Sequence, residues 1–426
     1  MLERLELKDV GPAAELHFDF CPRINIVTGD NGVGKSFVLD VAWWALTRTW
    51  AGYPANPTRG AGVSPRISFA YQAKVKRTEQ DYEFDFKAQS WRGQPGRPAN
   101  PGMVIYARAD GSFSVWDPAR NYWKNAPSQD VDTPDRPAAY HFSPKQVWDG
   151  LREGDRHLCN GLILDWVSWQ KEAGAAFQQL TSVLEVLAPS EAEPLRPGKP
   201  LRISLEDVRD MPSLEMPYGT VALVYASAGM KRIAALAYLL VWTWQEHQQA
   251  SRLLNQKPTN EITFLIDEIE AHLHPHWQRV ILPALLKVMQ TVTNTQIVRV
   301  QTIVATHAPL LLASVEPIFD EEQDRVFTFD LENGAVTLRE VAWSKQGDAV
   351  NWLVSDVFGL KQARSREAER AIEAAEAFMR GEMPSLPEDL RTWEEIHREL
   401  QRVLPGHDTF WPRWVVRGEA RGDLRS

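Results

Sequence analysis

The chain has 426 residues, 44% hydrophobic and 24% charged, with a formal net charge of −9; this supplies a large core but is too acidic overall for a surface that coats nucleic acid. Its two cysteines, Cys21 and Cys159, stand far apart, which argues against disulfides and thiolate zinc sites and fits a reducing cytoplasm. The longest apolar run, Ile233 to Trp244, is about half of the ~20 residues a membrane span needs, so a soluble, untargeted, cytoplasmic protein without a membrane partner is expected.

In chain order, residues 3 to 28 read as two short strands and a third, Arg23 to Thr28, that runs into a glycine-rich turn. From Ser36, Val38, Leu39, Ala42, Trp43 and Leu46 recur at helical spacing until Ala51-Gly52. Residues 66 to 122 alternate polar and apolar positions (Ile67, Phe69, Tyr71; Tyr82, Phe84, Phe86; Val104, Tyr106) and predict an antiparallel sheet. Helical spacing returns around 145 to 188, followed by a Pro-rich stretch and a short strand. A helix over about 229 to 247, a strand over 262 to 266, a helix over about 275 to 291 and a strand over 302 to 305 then alternate, as in a largely parallel α/β core. From about 347 the pattern is helical. Ser365 is placed to cap one helix that Gly381 ends, and a second after Pro387 puts Leu390, Trp393, Leu400 and Leu404 on one face. No repeat or long heptad array is present. The seventeen tryptophans are scattered through apolar patterns and read as core residues. Arg59, Arg66, Lys74, Lys76 and Arg77 are the candidates for a local basic groove, though solvated strand faces explain them as well.

Four segments carry chemistry. Gly29-Asp30-Asn31-Gly32-Val33-Gly34-Lys35-Ser36 matches the P-loop pattern between a strand and a helix. In such a loop Gly29, Asn31, Gly32, Gly34, Lys35, Ser36 and Phe37 surround the phosphates, Lys35 reaches the β- and γ-phosphates, and Ser36 binds Mg²⁺. Ile262 to Ile266 is an apolar strand ending in Asp267-Glu268, the first acid suited to hold Mg²⁺ and the second to polarise the attacking water. A strand that merely meets solvent can end the same way; the P-loop upstream favours the functional reading. Thr306-His307 ends the next strand, at the same carboxyl edge. Ala226-Ser227-Ala228-Gly229-Met230-Lys231-Arg232 opens a helix with small residues able to receive an anion. His272, His274 and His276 are separated by the helix-starting Pro275, so they are expected to point apart instead of sharing a metal.

The order P-loop, Ser-x-Gly helix start, acidic strand and histidine resembles the ABC-type ATPases of the SMC, RecF and OLD branch, over residues 1 to about 330. Leu5-Glu6-Leu7-Lys8 and the run Asp267 to Pro275 leading to Ala305-Thr306-His307-Ala308-Pro309 look like its compact bacterial AAA-type group. The resemblance implies an α/β P-loop NTPase of ABC type: a head over residues 1–345 with a mixed, largely parallel sheet core, an antiparallel β-subdomain at about 66–122 and a helical lobe at about 140–228, then a helical tail over 346–426. It implies ATP and Mg²⁺ as cofactors and a sandwich of two copies, or a larger homo-oligomer. There Ser227 and Gly229 would meet the γ-phosphate held by the partner's Lys35, with Glu268, His307 and Lys35 as catalytic groups. It also implies a glutamine on the metal, for which Gln146 and Gln72 compete, Gln146 being preferred. Ala228 and Met230 depart from the usual signature wording. The segment after His307 lacks the acidic pattern of the Toprim nuclease that longer relatives append. The tail, with Phe358-Gly359-Leu360 and Asp408 to Trp414, is similar to ATPase subunits of Septu- and PARIS-type anti-phage systems, which implies a separate effector nuclease. A RecF-like repair ATPase that binds DNA is the alternative.

Overall fold

The computed structural model describes residues 1–57, 63–73, 77–93, 99–121, 137–293 and 298–421. Arg59, Lys74 and Lys76 therefore lie outside the described residues. The chain forms two units, Met1–Ala349 and Val350–Ser426.

The first unit is built on an eight-stranded sheet. Its middle is five parallel strands, in the order Asp324–Glu332, Ile24–Gly29, Arg299–Ala305, Glu261–Asp267 and Met103–Ala107. Ala335–Glu340 extends it antiparallel on one side, and Phe113–Trp116 and Tyr140–Phe142 on the other. Every residue of Glu261–Asp267 is buried, as expected where both faces of a parallel sheet are covered. A second, antiparallel sheet runs in the order Glu15–Asp19, Leu2–Lys8, Arg66–Gln72, Arg77–Asp85 and Ser90–Arg92. The helix Lys35–Thr47 shares one core with residues of both sheets, including Leu5, Phe18, Ile67, Phe69, Ile303 and Phe329. That is why it is apolar on nearly every side instead of along one stripe.

Two strands expected in the antiparallel subdomain, Met103–Ala107 and Phe113–Trp116, belong to the main sheet instead. Met-Val-Ile-Tyr-Ala is buried at all five positions, the mark of an interior parallel strand; reading only Val104 and Tyr106 made it look alternating. The helical lobe contains Pro144–Asp149, Leu162–Glu172 and Ala175–Leu187. It also contains an unexpected hairpin, Leu151–Glu153 with Arg156–Cys159. A three-stranded sheet follows, Arg196–Leu201, Met211–Met216 and Gly219–Ala222. The long helix is Ala228–Leu253. The helix expected over 275–291 is two, Pro275–Gln278 and Ile281–Thr293, because Pro283 has no N–H to continue a helix through residue 279.

The second unit contains Arg366–Arg380, Trp393–Val403 and Trp411–Arg421. Ser365 Oγ accepts the Ala368 N–H and Gly381 ends the first helix at φ 85°. Ala371, Ile372, Ala375, Leu390, Ile396, Leu400, Leu404 and Trp414 form its core. Among the described residues no helix is long and apolar enough to cross a membrane.

Candidate nucleotide-binding site

Register brings the chemistry to one edge. Asp267 lies opposite Ala305, and Ala305 opposite Val27. One step further, the Glu268 N–H donates to Ala305 O and the Thr306 N–H to Val27 O, both at 3.0 Å. The P-loop, Asp267-Glu268 and Thr306-His307 thus leave three adjacent parallel strands at the carboxyl end, the usual place for a ligand in such sheets.

The loop's glycines are required by space as well as by backbone. Gly29, Gly32 and Gly34 have φ of 129°, 82° and 104°, values that disfavour a side chain. A Cβ on Gly29 would sit 2.5 Å from Phe329 O, and one on Gly34 2.4 Å from Pro12 Cγ. Asn31 and Gly32 are exposed, whereas Lys35 is 6% exposed. Its Nζ donates to Gly29 O at 2.8 Å and Asp30 O at 2.7 Å, so the ammonium sits within the curl of the loop. Burial lowers the Lys35 pKa, while Glu268, Asp267, Asp30 and Glu270 oppose that shift. Phe37 packs at the Gly11 turn, where a Cβ would fall 2.4 Å from its ring.

Asp267 is 5% exposed and its pKa is raised to about 6, chiefly by burial, with the neighbouring carboxylates Glu268, Asp40 and Glu270 adding to the shift. Ser36 hydrogen-bonds its carboxylate, and Asp267 Oδ1 is buried without a hydrogen-bond partner. A hydroxyl and a buried carboxylate with an unused oxygen form a hard oxygen donor set of the kind Mg²⁺ takes; the residues present fit that ion. Glu268 stands on a left-handed backbone, φ 47°. His307 Nδ1 is 3.6 Å from Glu268 Oε1 and 3.8 Å from Glu270 Oε1. Glu270 is buried: Thr306 Oγ1 donates to its Oε1 at 2.5 Å and the His307 N–H at 3.1 Å. It thereby fixes the backbone that carries the histidine.

Ser227 caps Ala228–Leu253, its Oγ accepting the Met230 N–H at 3.3 Å, and is exposed. Gly229 is buried, and a Cβ there would lie 2.9 Å from His272 O, so the start of this helix packs on the loop after Glu268. Gln146 Oε1 accepts the Ser143 N–H at 2.9 Å in a capping box, and Gln72 Nε2 donates to Ala73 O at 2.9 Å. Both expected metal-site glutamines are thus engaged with local backbone. His274 Nδ1 accepts the His276 N–H, and His276 pairs with Glu193.

Some residues at this edge were not expected. Asp40, one helical turn after Ser36, accepts a hydrogen bond from Tyr106 and lies 3.6 Å from Arg108; burial raises its pKa. Its spacing from Ser36 was the available signal. Arg232 bonds the Glu268 carbonyl at 3.0 Å. It was visible in the Ser-x-Gly segment, but its target was not.

The chain is 22% identical over 377 residues to Septu protein PtuA of Bacillus thuringiensis, covering 86% of each chain. Solved structures it is similar to include the SMC head domain from Thermotoga maritima (16% identity, 80% of this chain and 99% of that one, TM-score 0.39). Another is the recombination mediator protein RecF (12%, 80% and 98%, TM-score 0.38). Residues 24–313 match the family described as AAA domain, putative AbiEii toxin, Type IV TA system, a span that runs from the P-loop strand past His307, and the chain belongs to that family.

Proposed function

We propose that this chain hydrolyses ATP with Mg²⁺ as cofactor, in a sandwich of two copies or a larger homo-oligomer, and serves as the sensing subunit of an anti-phage complex with a separate effector nuclease. The observation that carries the ATPase reading is the registered carboxyl edge, where Lys35, Ser36, Asp267, Glu268 and His307 leave three neighbouring strands. Lys35 and the loop N–H groups bind the phosphates. Ser36 and Asp267 would hold Mg²⁺, which neutralises phosphate charge when bound. Glu268 orients and polarises water, and His307, beside it, steadies the γ-phosphate. Ser227, exposed at a helix start, supports a contact to nucleotide held by a second copy. The relative's name supports the defence role.

The DNA-clamping alternative has less support. Arg66 pairs with Asp81 and Glu83, and Arg77 with Glu3 and Glu79, so these two candidate groove residues are already matched by carboxylates.

Steady-state turnover and nucleotide titration test the assignment. Lys35→Ala should lose both binding and turnover. Glu268→Gln should bind nucleotide normally and lose roughly 10²- to 10⁴-fold in kcat, the range of a general base. Lys35→Ala turnover equal to wild type would sink the reading.

A further inference from the structure

Arg232 lies in the first turns of the helix that Ser227 caps, yet its guanidinium is directed at the catalytic edge. Nη1 donates to Ala109 O at 2.6 Å. Nη2 approaches Glu268 O at 3.0 Å, Arg108 O at 3.3 Å and Asp267 O at 3.4 Å. One planar fork therefore joins the ends of two adjacent parallel strands, Met103–Ala107 and Glu261–Asp267. A guanidinium can do this because its donors are fixed in one plane; an ammonium presents a point charge on a flexible stem.

The group it holds needs holding. Glu268 is in the left-handed region, which a residue with a side chain occupies only when its surroundings fix it there. Its N–H is tied to Ala305 O, and its carbonyl accepts from the Ala271 N–H and from Arg232. The direction of the Glu268 carboxylate follows from that backbone. Arg232 also forms part of the wall of a cavity of about 460 Å³ that Phe113, Val147, Trp148, Leu236 and Ile269 line, an apolar setting in which these hydrogen bonds meet less competition from water. Its own burial lowers its pKa, which Glu270, Asp267, Asp110 and Glu268 offset.

We propose that Arg232 is a positioning residue for ATP hydrolysis: by clamping the Glu268 carbonyl to the end of the neighbouring strand it sets the direction of the Glu268 carboxylate, and it makes that direction depend on the helix that Ser227 opens. This rests on the assignment of Glu268 as the group that polarises water. The inference concerns kcat, because Arg232 bonds protein carbonyls and leaves the P-loop groups untouched.

The test is ATP turnover of wild type, Arg232→Ala and Arg232→Lys, with nucleotide affinity measured separately by titration with a fluorescent ATP analogue. Arg232→Ala should lose about 30-fold or more in kcat while KM and the analogue's Kd stay within about threefold. Arg232→Lys, which keeps the charge and loses the fork, should recover part of it and remain about fivefold below wild type. Should Arg232→Ala not fold, Arg232→Lys decides alone. Wild-type kcat in the Lys variant, or a loss of nucleotide affinity in either variant as large as the loss of kcat, overturns the inference. A wild-type protein that binds the analogue but never hydrolyses ATP overturns the underlying reading instead.

Discussion

Gly34 shows how narrowly the phosphate loop is specified. Its φ of 104° and the 2.4 Å approach of a Cβ to Pro12 leave no room for alanine. Strain of about 1–3 kcal/mol falls on the loop that presents its N–H groups. Gly34→Ala should therefore weaken ATP by about five- to 150-fold in a titration, a larger effect than Gly32→Ala, whose Cβ meets nothing within 4 Å. A second residue governs acid behaviour. His141, bonded to Ser114 Oγ at 2.9 Å, has its pKa lowered to about 4 by burial and, secondarily, by Arg108. The native imidazole stays neutral while the unfolded one takes up a proton below about 6.5, so stability falls as pH drops from about 6.5 to about 4. Asp267, raised to about 6, acts in the opposite sense, which makes a difference measurement necessary. The stability of His141→Gln relative to wild type should rise by about 2–3 kcal/mol between pH 7 and pH 4.5 in denaturant curves. Lys35, Ser36, Asp267, Glu268 and His307, which gather at one sheet edge, were legible as candidates because contiguous motifs carry them. Tyr106 and Arg108 were silent, and the targets of Asp40 and Arg232 were hidden, because those contacts depend on which strands lie side by side.

Among elements, legibility followed local signals. The P-loop strand and helix, the acidic strand and the capped helix Arg366–Arg380 were read correctly in type and place because a cap, a glycine or an apolar run marks each. Met103–Ala107 was assigned to the wrong sheet because strand partnership is a long-range property: it pairs with Glu261–Asp267, more than 150 residues away. The hairpin at Leu151–Cys159 was missed because its strands have three and four residues, too few to show a period. In the second unit, amphipathic helices meet at Leu400, which is fully buried among Ile396, Leu404 and Trp414. Leu400→Ala should destabilise that unit by about 2–5 kcal/mol, seen as faster amide exchange in 366–403 with exchange in the sheet strands unchanged.

For the whole molecule, Ser227 and the P-loop pose a question of stoichiometry. Ser227 is exposed and bonds only its own helix backbone among the contacts described, while Lys35 and Ser36 at a helix start and Asp267 at a strand end gather at the carboxyl edge of the central strands. In the proposed sandwich, a second copy bringing its Ser227 to the phosphates would make assembly a function of bound nucleotide, because binding restricted to the assembled form pulls the equilibrium toward it. Glu268→Gln isolates this step by slowing the chemistry that would end it. With Mg-ATP, light scattering should give that variant a mass of at least twice the monomer, and Ser227→Arg on the same background should return it to the monomer with little change in ATP affinity. If mass never responds to Mg-ATP in Glu268→Gln, the sandwich fails although the P-loop assignment survives. A mass that responds equally with Ser227→Arg would place the interface elsewhere on the chain.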